Sequence, residues 1–336
     1  MKNLLLVVLV LILFGCDTKP NLVKNQNTGP ALGTSYAIQY ISDKELDFQR
    51  EIDSVFTVFN KSMSTYITDS DISKINGGDT TLIVDQMFRD IFFQSQVINS
   101  ETDGYFDPTV GVLVDAWGFG PEDSTMKMDS TRVDSLMQYV GWRHIGLTRD
   151  FRITKSKPEV QFDFNAIAKG YAIDRLGRML DKHQIKNYLV EVGGEVLAKG
   201  TNIISGKPWK VGIDKPNNFM KRGSAAVVNL KDKALASSGN YRKFRIDPET
   251  GEKYVHTIDP KTGYTKNSNV LSATVVANSC IQADGYATAF MAMDLNASKA
   301  LLELKRKELD AFIIYLDEEG TMKNFMTSGF EAILAK

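Results

Sequence analysis

Tyr188-Leu189-Val190-Glu191-Val192 is the run that decides the fold class, because it opens a half of the chain in which short β-type runs follow one another. The series continues at Trp209–Ile213, Ala225–Leu230, Ala234–Ser237, Lys243–Ile246 and Val270–Ala277. Strands that cluster instead of alternating with helices indicate an α+β fold, mainly antiparallel sheet flanked by helices. Upstream, Thr34–Ile41 alternates like a strand, while Glu45–Met63 places Leu46, Phe48, Ile52, Val55, Phe56 and Phe59 at helical spacing. A second helix is predicted over Asp85–Ser100, ended by Asp103-Gly104, and a third from Asp163 or Asn165 to His183. Two more are predicted at Ser279–Met293 and Ala297–Lys307, then a strand at Ala311–Tyr315. No repeat or linker interrupts residues 31–336, so the expectation is a single catalytic unit, in one lobe or two.

With 40 basic and 41 acidic residues among 336, the chain carries no basic stripe, and no nucleic-acid partner is expected. Its three histidines, His144, His183 and His256, exclude a His-rich transition-metal site. At the N-terminus, Lys2 precedes an unbroken apolar run, Leu4–Phe14, of 11 residues. A spanning helix needs about 20, so the run suits a signal-peptide core. It ends in Leu13-Phe14-Gly15-Cys16, which resembles the lipobox of bacterial lipoproteins. That resemblance implies a signal peptide over 1–15 and lipid on Cys16, while a composition rich in Asn, Lys, Thr and Pro makes 16–30 the expected flexible tether before the unit over 31–336. Asp17 after Cys16 resembles an inner-membrane retention signal, so the expected location is extracytoplasmic, on the periplasmic side of the inner membrane. Cys280 is the only other cysteine, so an acylated Cys16 leaves no intrachain disulfide.

Two stretches carry the chemistry. His256-Thr257-Ile258-Asp259-Pro260-Lys261-Thr262-Gly263 places an imidazole three residues before a carboxylate, in a turn braced by proline and glycine. Ala283-Asp284-Gly285-Tyr286-Ala287-Thr288 puts a carboxylate and a hydroxyl at i and i+4, on one face of the expected helix. Oxygen ligands at that spacing suit a hard cation such as Mg²⁺. The plainer reading makes Asp284 a helix N-terminal charge favoured by the dipole, with Thr288 facing the core. An unperturbed imidazole titrates near about 6.5, which suits His256 to base work at neutral pH. Together the residues suggest phosphoryl or nucleotidyl chemistry.

Further segments join them in chain order: Leu32-Gly33-Thr34, Met63-Ser64-Thr65-Tyr66, Asp103-Gly104-Tyr105-Phe106-Asp107-Pro108-Thr109 and Trp117-Gly118-Phe119-Gly120. Asp163-Phe164-Asn165-Ala166-Ile167-Ala168-Lys169-Gly170, Glu191-Val192-Gly193-Gly194-Glu195 and Ser237-Ser238-Gly239-Asn240-Tyr241 complete the set. Taken together they resemble the ApbE family of exported, often lipid-anchored FAD:protein FMN transferases, over about residues 31–330. The resemblance implies a T-fold-like α+β catalytic unit. It implies a Mg²⁺-dependent reaction in which FAD is cleaved, AMP is released, and FMN is joined to a threonine or serine hydroxyl of an acceptor. The acceptors it implies are subunits of membrane redox complexes, reached by an enzyme on a lipid anchor.

It also implies roles. Asp284, Thr288 and the carbonyl of Ala166 match magnesium ligands, and His256 is the candidate general base. Leu32, Tyr66, Tyr105, Phe106, Asp107, Asp163, Lys169 and Ile258 match FAD-contacting positions. Asp163 could equally be the N-cap of the following helix. Leu32 stands where the family commonly has methionine, and Ala287 where some members have aspartate. Two other functions fit the same residues: a Mg²⁺-dependent FAD pyrophosphatase yielding FMN and AMP, and an extracytoplasmic FAD-binding carrier.

Overall fold

The computed structural model describes residues 22–121, 128–216, 223–240, 244–246, 253–266 and 268–335. The expected signal peptide, Cys16 and the first part of the expected tether lie outside them, as does Tyr241. The rest of that tether is corrected. Val23–Ala31 is a strand, β1, paired antiparallel along its length with β2 (Thr34–Ser42). Its polar composition concealed it, because amide side chains replace apolar ones on its inner face. The Tyr40 hydroxyl donates to Asn27 Oδ1 at 2.9 Å, Asn27 Nδ2 donates to Asp47 Oδ1 at 2.7 Å, and the Leu46 amide donates to Asn25 Oδ1 at 2.9 Å.

Helices follow. In α1 (Gln49–Met63), Ile52, Phe56, Phe59 and Met63 form the buried stripe. It starts four residues after the predicted Glu45, since Glu45–Phe48 is spent crossing from the sheet. α2 (Asp71–Asn76) is capped by Ser70. α3 (Gln86–Glu101) is capped by Asp85, whose Oδ1 accepts from the Phe88 amide at 2.8 Å. Two short helices, α4 (Gly111–Ala116) and α5 (Ser130–Met137), and the small ladder β3 (Ile145–Leu147) with β4 (Ile153–Lys155) lead to α6 (Ala168–Lys182).

Strands β5 (Asn187–Val192), β6 (Glu195–Lys199), β7 (Trp209–Asp214), β8 (Ser224–Leu230) and β9 (Lys233–Gly239) come next, then the hairpin β10 (Phe244–Ile246) with β11 (Lys253–Val255). β12 (Val270–Ala277), α7 (Cys280–Ala292), α8 (Leu295–Leu304), β13 (Asp310–Leu316), β14 (Met322–Met326) and α9 (Ser328–Ala332) complete the chain. Eight strands make one sheet, ordered β1-β2-β5-β6-β9-β12-β13-β14, and its pairings are antiparallel, as the sequence predicts.

The sheet is covered on both faces. On β13, Ala311 and Ile313 join the core formed with α1, α3, α6 and α7, while Phe312 and Ile314 join the core under the β7–β8 hairpin and α9. β12 divides likewise, with Ala273 and Val275 on the first side and Val276 on the second. A third apolar cluster (Leu113, Trp117, Val133, Val140, Ile258) ties α4 and α5 to the loop after β11. That cluster brings the His256 segment against the helical side of the molecule.

Candidate active site

α7 is buried on every side, and Asp284 is its only charged residue. It crosses α6 closely, because a Cβ on Gly170 would lie 2.4 Å from the Cys280 carbonyl oxygen and 2.8 Å from Asp284 Cβ. The close approach lets the Gly170 amide, in the first turn of α6, donate to Asp284 Oδ2 at 2.9 Å. One turn on, Thr288 Oγ1 lies 3.5 Å from the Ala166 carbonyl oxygen and 3.1 Å from Ser238 Oγ. The three oxygens expected to hold a cation are thus brought to one crossing.

Burial drives the Asp284 carboxyl well above the ordinary carboxylate range, the Glu195 charge pushes it further, and Lys169 and the Gly170 amide oppose. Glu195 is 3% exposed at the start of β6, and its Oε2 lies 2.7 Å from Lys169 Nζ. Gly193 and Gly194 place it there: at φ +60 and +101 they form the two-residue β5–β6 turn, where a side chain would be strained. Two carboxylates and one ammonium around hard oxygen donors form a set that favours a bound divalent cation, so the residues fit Mg²⁺.

Asp163 is not an N-cap, which corrects that alternative. Its Oδ1 instead accepts from the Asn165 amide at 2.7 Å, and α6 begins only at Ala168, preceded by Ile167 without a side-chain cap. The irregular residues between leave the Ala166 carbonyl outside the helix ladder. Capping happens elsewhere: Asp174, one turn beyond Gly170, accepts from the Cys280 and Ile281 amides at 2.8 and 3.0 Å and closes the N-terminus of α7. Burial lifts its carboxyl to about 6.

His256 follows β11 directly and is half-buried. Its neighbours are fixed. Thr257 Oγ1 donates to Asn240 Oδ1 at 2.7 Å, and the Lys266 amide donates to the Thr257 carbonyl at 2.7 Å. Asp259 folds the turn, accepting from the Gly263 amide (2.8 Å) and, at Oδ1, from the Lys261 amide (2.9 Å), while Trp117 Nε1 donates to the Gly263 carbonyl at 2.9 Å. Ser238 and Asn240 stand at i and i+2 near the end of β9, so one strand terminus supports both Thr288 and the His256 loop. His144 meets Ser156 and His183 packs on Phe48, which leaves His256 as the histidine of this region.

The remaining expected contacts divide. Tyr66 is 60% exposed; partial burial, Asp163 and Asp115 raise its phenol. Tyr105 carries Lys261 Nζ 4.3 Å above its ring, which joins it to the His256 loop. Leu32 sits at φ +51 in the β1–β2 turn, and Thr34 just after it meets the Gly193 turn. Phe106, Asp107 and the Ile258 side chain are instead interior: Asp107 Oδ1 accepts from the Thr109 amide and hydroxyl at 2.8 and 2.6 Å, and Ile258 packs in the third cluster. Sequence reasoning missed Glu195 and Asp174 as working groups. Glu195 lay inside a segment already marked by its glycines, whereas nothing local distinguishes Asp174 from a solvated helix acid.

The ApbE family profile matches residues 32–313. The chain is 32% identical over 333 residues to the FAD:protein FMN transferase of Haemophilus influenzae, covering 95% of this chain and 94% of that one. It is 33% identical over 334 residues to the protein of that name from Vibrio cholerae, covering 97% of each. The solved flavin transferase ApbE from Vibrio cholerae superposes with a TM-score of 0.83 at 32% identity, covering 93% of this chain and all of the other.

Proposed function

The chain belongs to the ApbE family, and on that premise we propose that it transfers the FMN half of FAD, with Mg²⁺, to a threonine or serine hydroxyl of an acceptor protein and releases AMP. The observation that carries this reading is the convergence of the Ala166 carbonyl, Asp284 and Thr288 at the α6–α7 crossing. Those three residues would hold the metal. Mg²⁺ bound there would neutralise charge on the pyrophosphate oxygens of FAD as the bridge opens.

The rest falls to side chains of this chain. His256 takes the proton of the acceptor hydroxyl, and the freed oxygen forms a bond to the FMN phosphorus. The bond from that phosphorus to the bridging oxygen breaks, and AMP departs with the oxygen. The proton passes from the imidazole to the leaving phosphate or to water. The Asp259 turn and the Thr257–Asn240 bond hold the segment that carries the imidazole, so little ordering is needed at the moment of reaction. Lys169 brings a positive charge toward the phosphates, and the exposed ring of Tyr66 offers a face for the isoalloxazine.

The Leu4–Phe14 run and Cys16 support export and lipid anchoring, and an anchored enzyme fits acceptors that are subunits of membrane redox complexes. The test is incubation with FAD, Mg²⁺ and a candidate acceptor domain, following AMP and the acceptor's mass. An FMN-sized gain that disappears with EDTA is expected. AMP with free FMN and no gain on any acceptor would replace transfer by hydrolysis, and bound FAD without AMP would leave a carrier.

A further inference from the structure

Three titratable side chains, Asp284, Glu195 and Lys169, meet at the α6–α7 crossing, and only Asp284 is accounted for by the metal site. Glu195 is nearly fully buried, and its Oε2 is 2.7 Å from Lys169 Nζ, itself 29% exposed as a side chain. Lys169 is the residue before Gly170, whose amide holds Asp284 Oδ2. Its charge therefore acts on Asp284, and so does that of Glu195. A lysine beside a metal-ligating carboxylate is a competitor: left alone, it pairs with the carboxylate and takes the place of a cation.

We propose that Glu195 is a positioning residue for the metal site: it binds and neutralises Lys169, so that the charge of Asp284 is left for the divalent cation while the ammonium stays beside the place the phosphates occupy. This rests on the reading of Ala166, Asp284 and Thr288 as the metal site. Glu195 sits at the first residue of β6, fixed by the Gly193-Gly194 turn, whereas Lys169 is on α6, so the pair also pins the helix to the sheet end. When ionised, these three groups sum to one net negative charge. Glu195→Gln would leave none and release Lys169 toward Asp284. Glu195→Gln with Lys169→Met would restore one.

The experiment is a Mn²⁺ titration without FAD, read by the electron paramagnetic resonance signal of the free ion, on the full-length protein and its variants. Thermal unfolding of each variant checks that it is folded. E195Q is expected to bind Mn²⁺ about tenfold more weakly or worse. The double variant is expected to recover to within about threefold of the wild type, an interaction that simple loss of structure would not produce. K169M should bind no more weakly than the wild type, and this arm decides if E195Q does not fold. E195Q binding as the wild type does, a double variant as weak as E195Q, or a weakened K169M would each overturn the proposal. A wild type that does not bind Mn²⁺ would instead remove the metal reading on which it rests.

Discussion

Among single residues, Asp284 and His256 are the proposed chemical groups, and they are held in different ways. Asp284 is a buried acid on an otherwise uncharged helix, and His256 is a half-buried imidazole on a loop locked at its neighbours. His256→Ala should therefore spare FAD binding and lower FMN transfer by about 10²-fold or more, measured as acceptor mass gain beside flavin fluorescence titration. Loss of FAD binding in the same proportion would assign it to binding instead. Asp174 gives a prediction in pH. Burial raises its carboxyl from 3.8 to about 6, so the folded state holds the proton more tightly than the unfolded chain. Its contribution is intact below 3.8 and is lost as pH rises toward about 6, by about 3 kcal/mol at most. The urea stability of the wild type minus that of Asp174→Asn should fall across this window and stay flat above it. A difference that rises with pH would contradict the assignment.

At the scale of elements, the α6–α7 crossing is the part on which the site depends. Gly170→Ala would place a methyl group 2.4 Å from the Cys280 carbonyl and force the helices apart. A loss of about 1–3 kcal/mol in urea unfolding is expected, together with weaker metal binding; an unchanged unfolding midpoint would show that the crossing is looser than described. How far elements were legible depended on what their two faces bury. β13 and β12 read clearly because both faces are apolar, and α3 read to within a residue because Asp85 caps it. β1 did not, since Asn25 and Asn27 satisfy its inner face by hydrogen bonds that no periodicity reveals. α6 was read three to five residues early, because Asp163 resembles a cap yet closes on Asn165. Asp284, Thr288 and His256, the candidate site groups, were visible as motifs. Asp174 was not, because its partners are backbone amides 106 and 107 residues away.

At the scale of the whole molecule, one sheet carries the candidate site at the junction of its helical side with the loop after β11, and β1 and β14 close the two edges of that sheet. β1 is an edge strand, yet its Asn27 is one of two partners, with the Leu46 carbonyl, of the fully buried Tyr40 hydroxyl. A protein beginning at residue 22 should fold as the longer chain does, while one beginning at residue 33 should lose several kcal/mol from the exposed β2 edge and the lost bonds of Asn25 and Asn27 to Leu46, Asp47 and Tyr40. Equal urea midpoints would return residues 22–31 to the role of a tether.

The proposed metal centre, at which FAD would be opened, is formed by the Ala166 carbonyl, Asp284 and Thr288. Crystals soaked with Mn²⁺ and examined by anomalous scattering test it directly. One strong peak within coordination distance of all three oxygens, about 2.0–2.3 Å, is expected, with its loss in Asp284→Asn. A peak bound elsewhere, with these three oxygens bare, would contradict it.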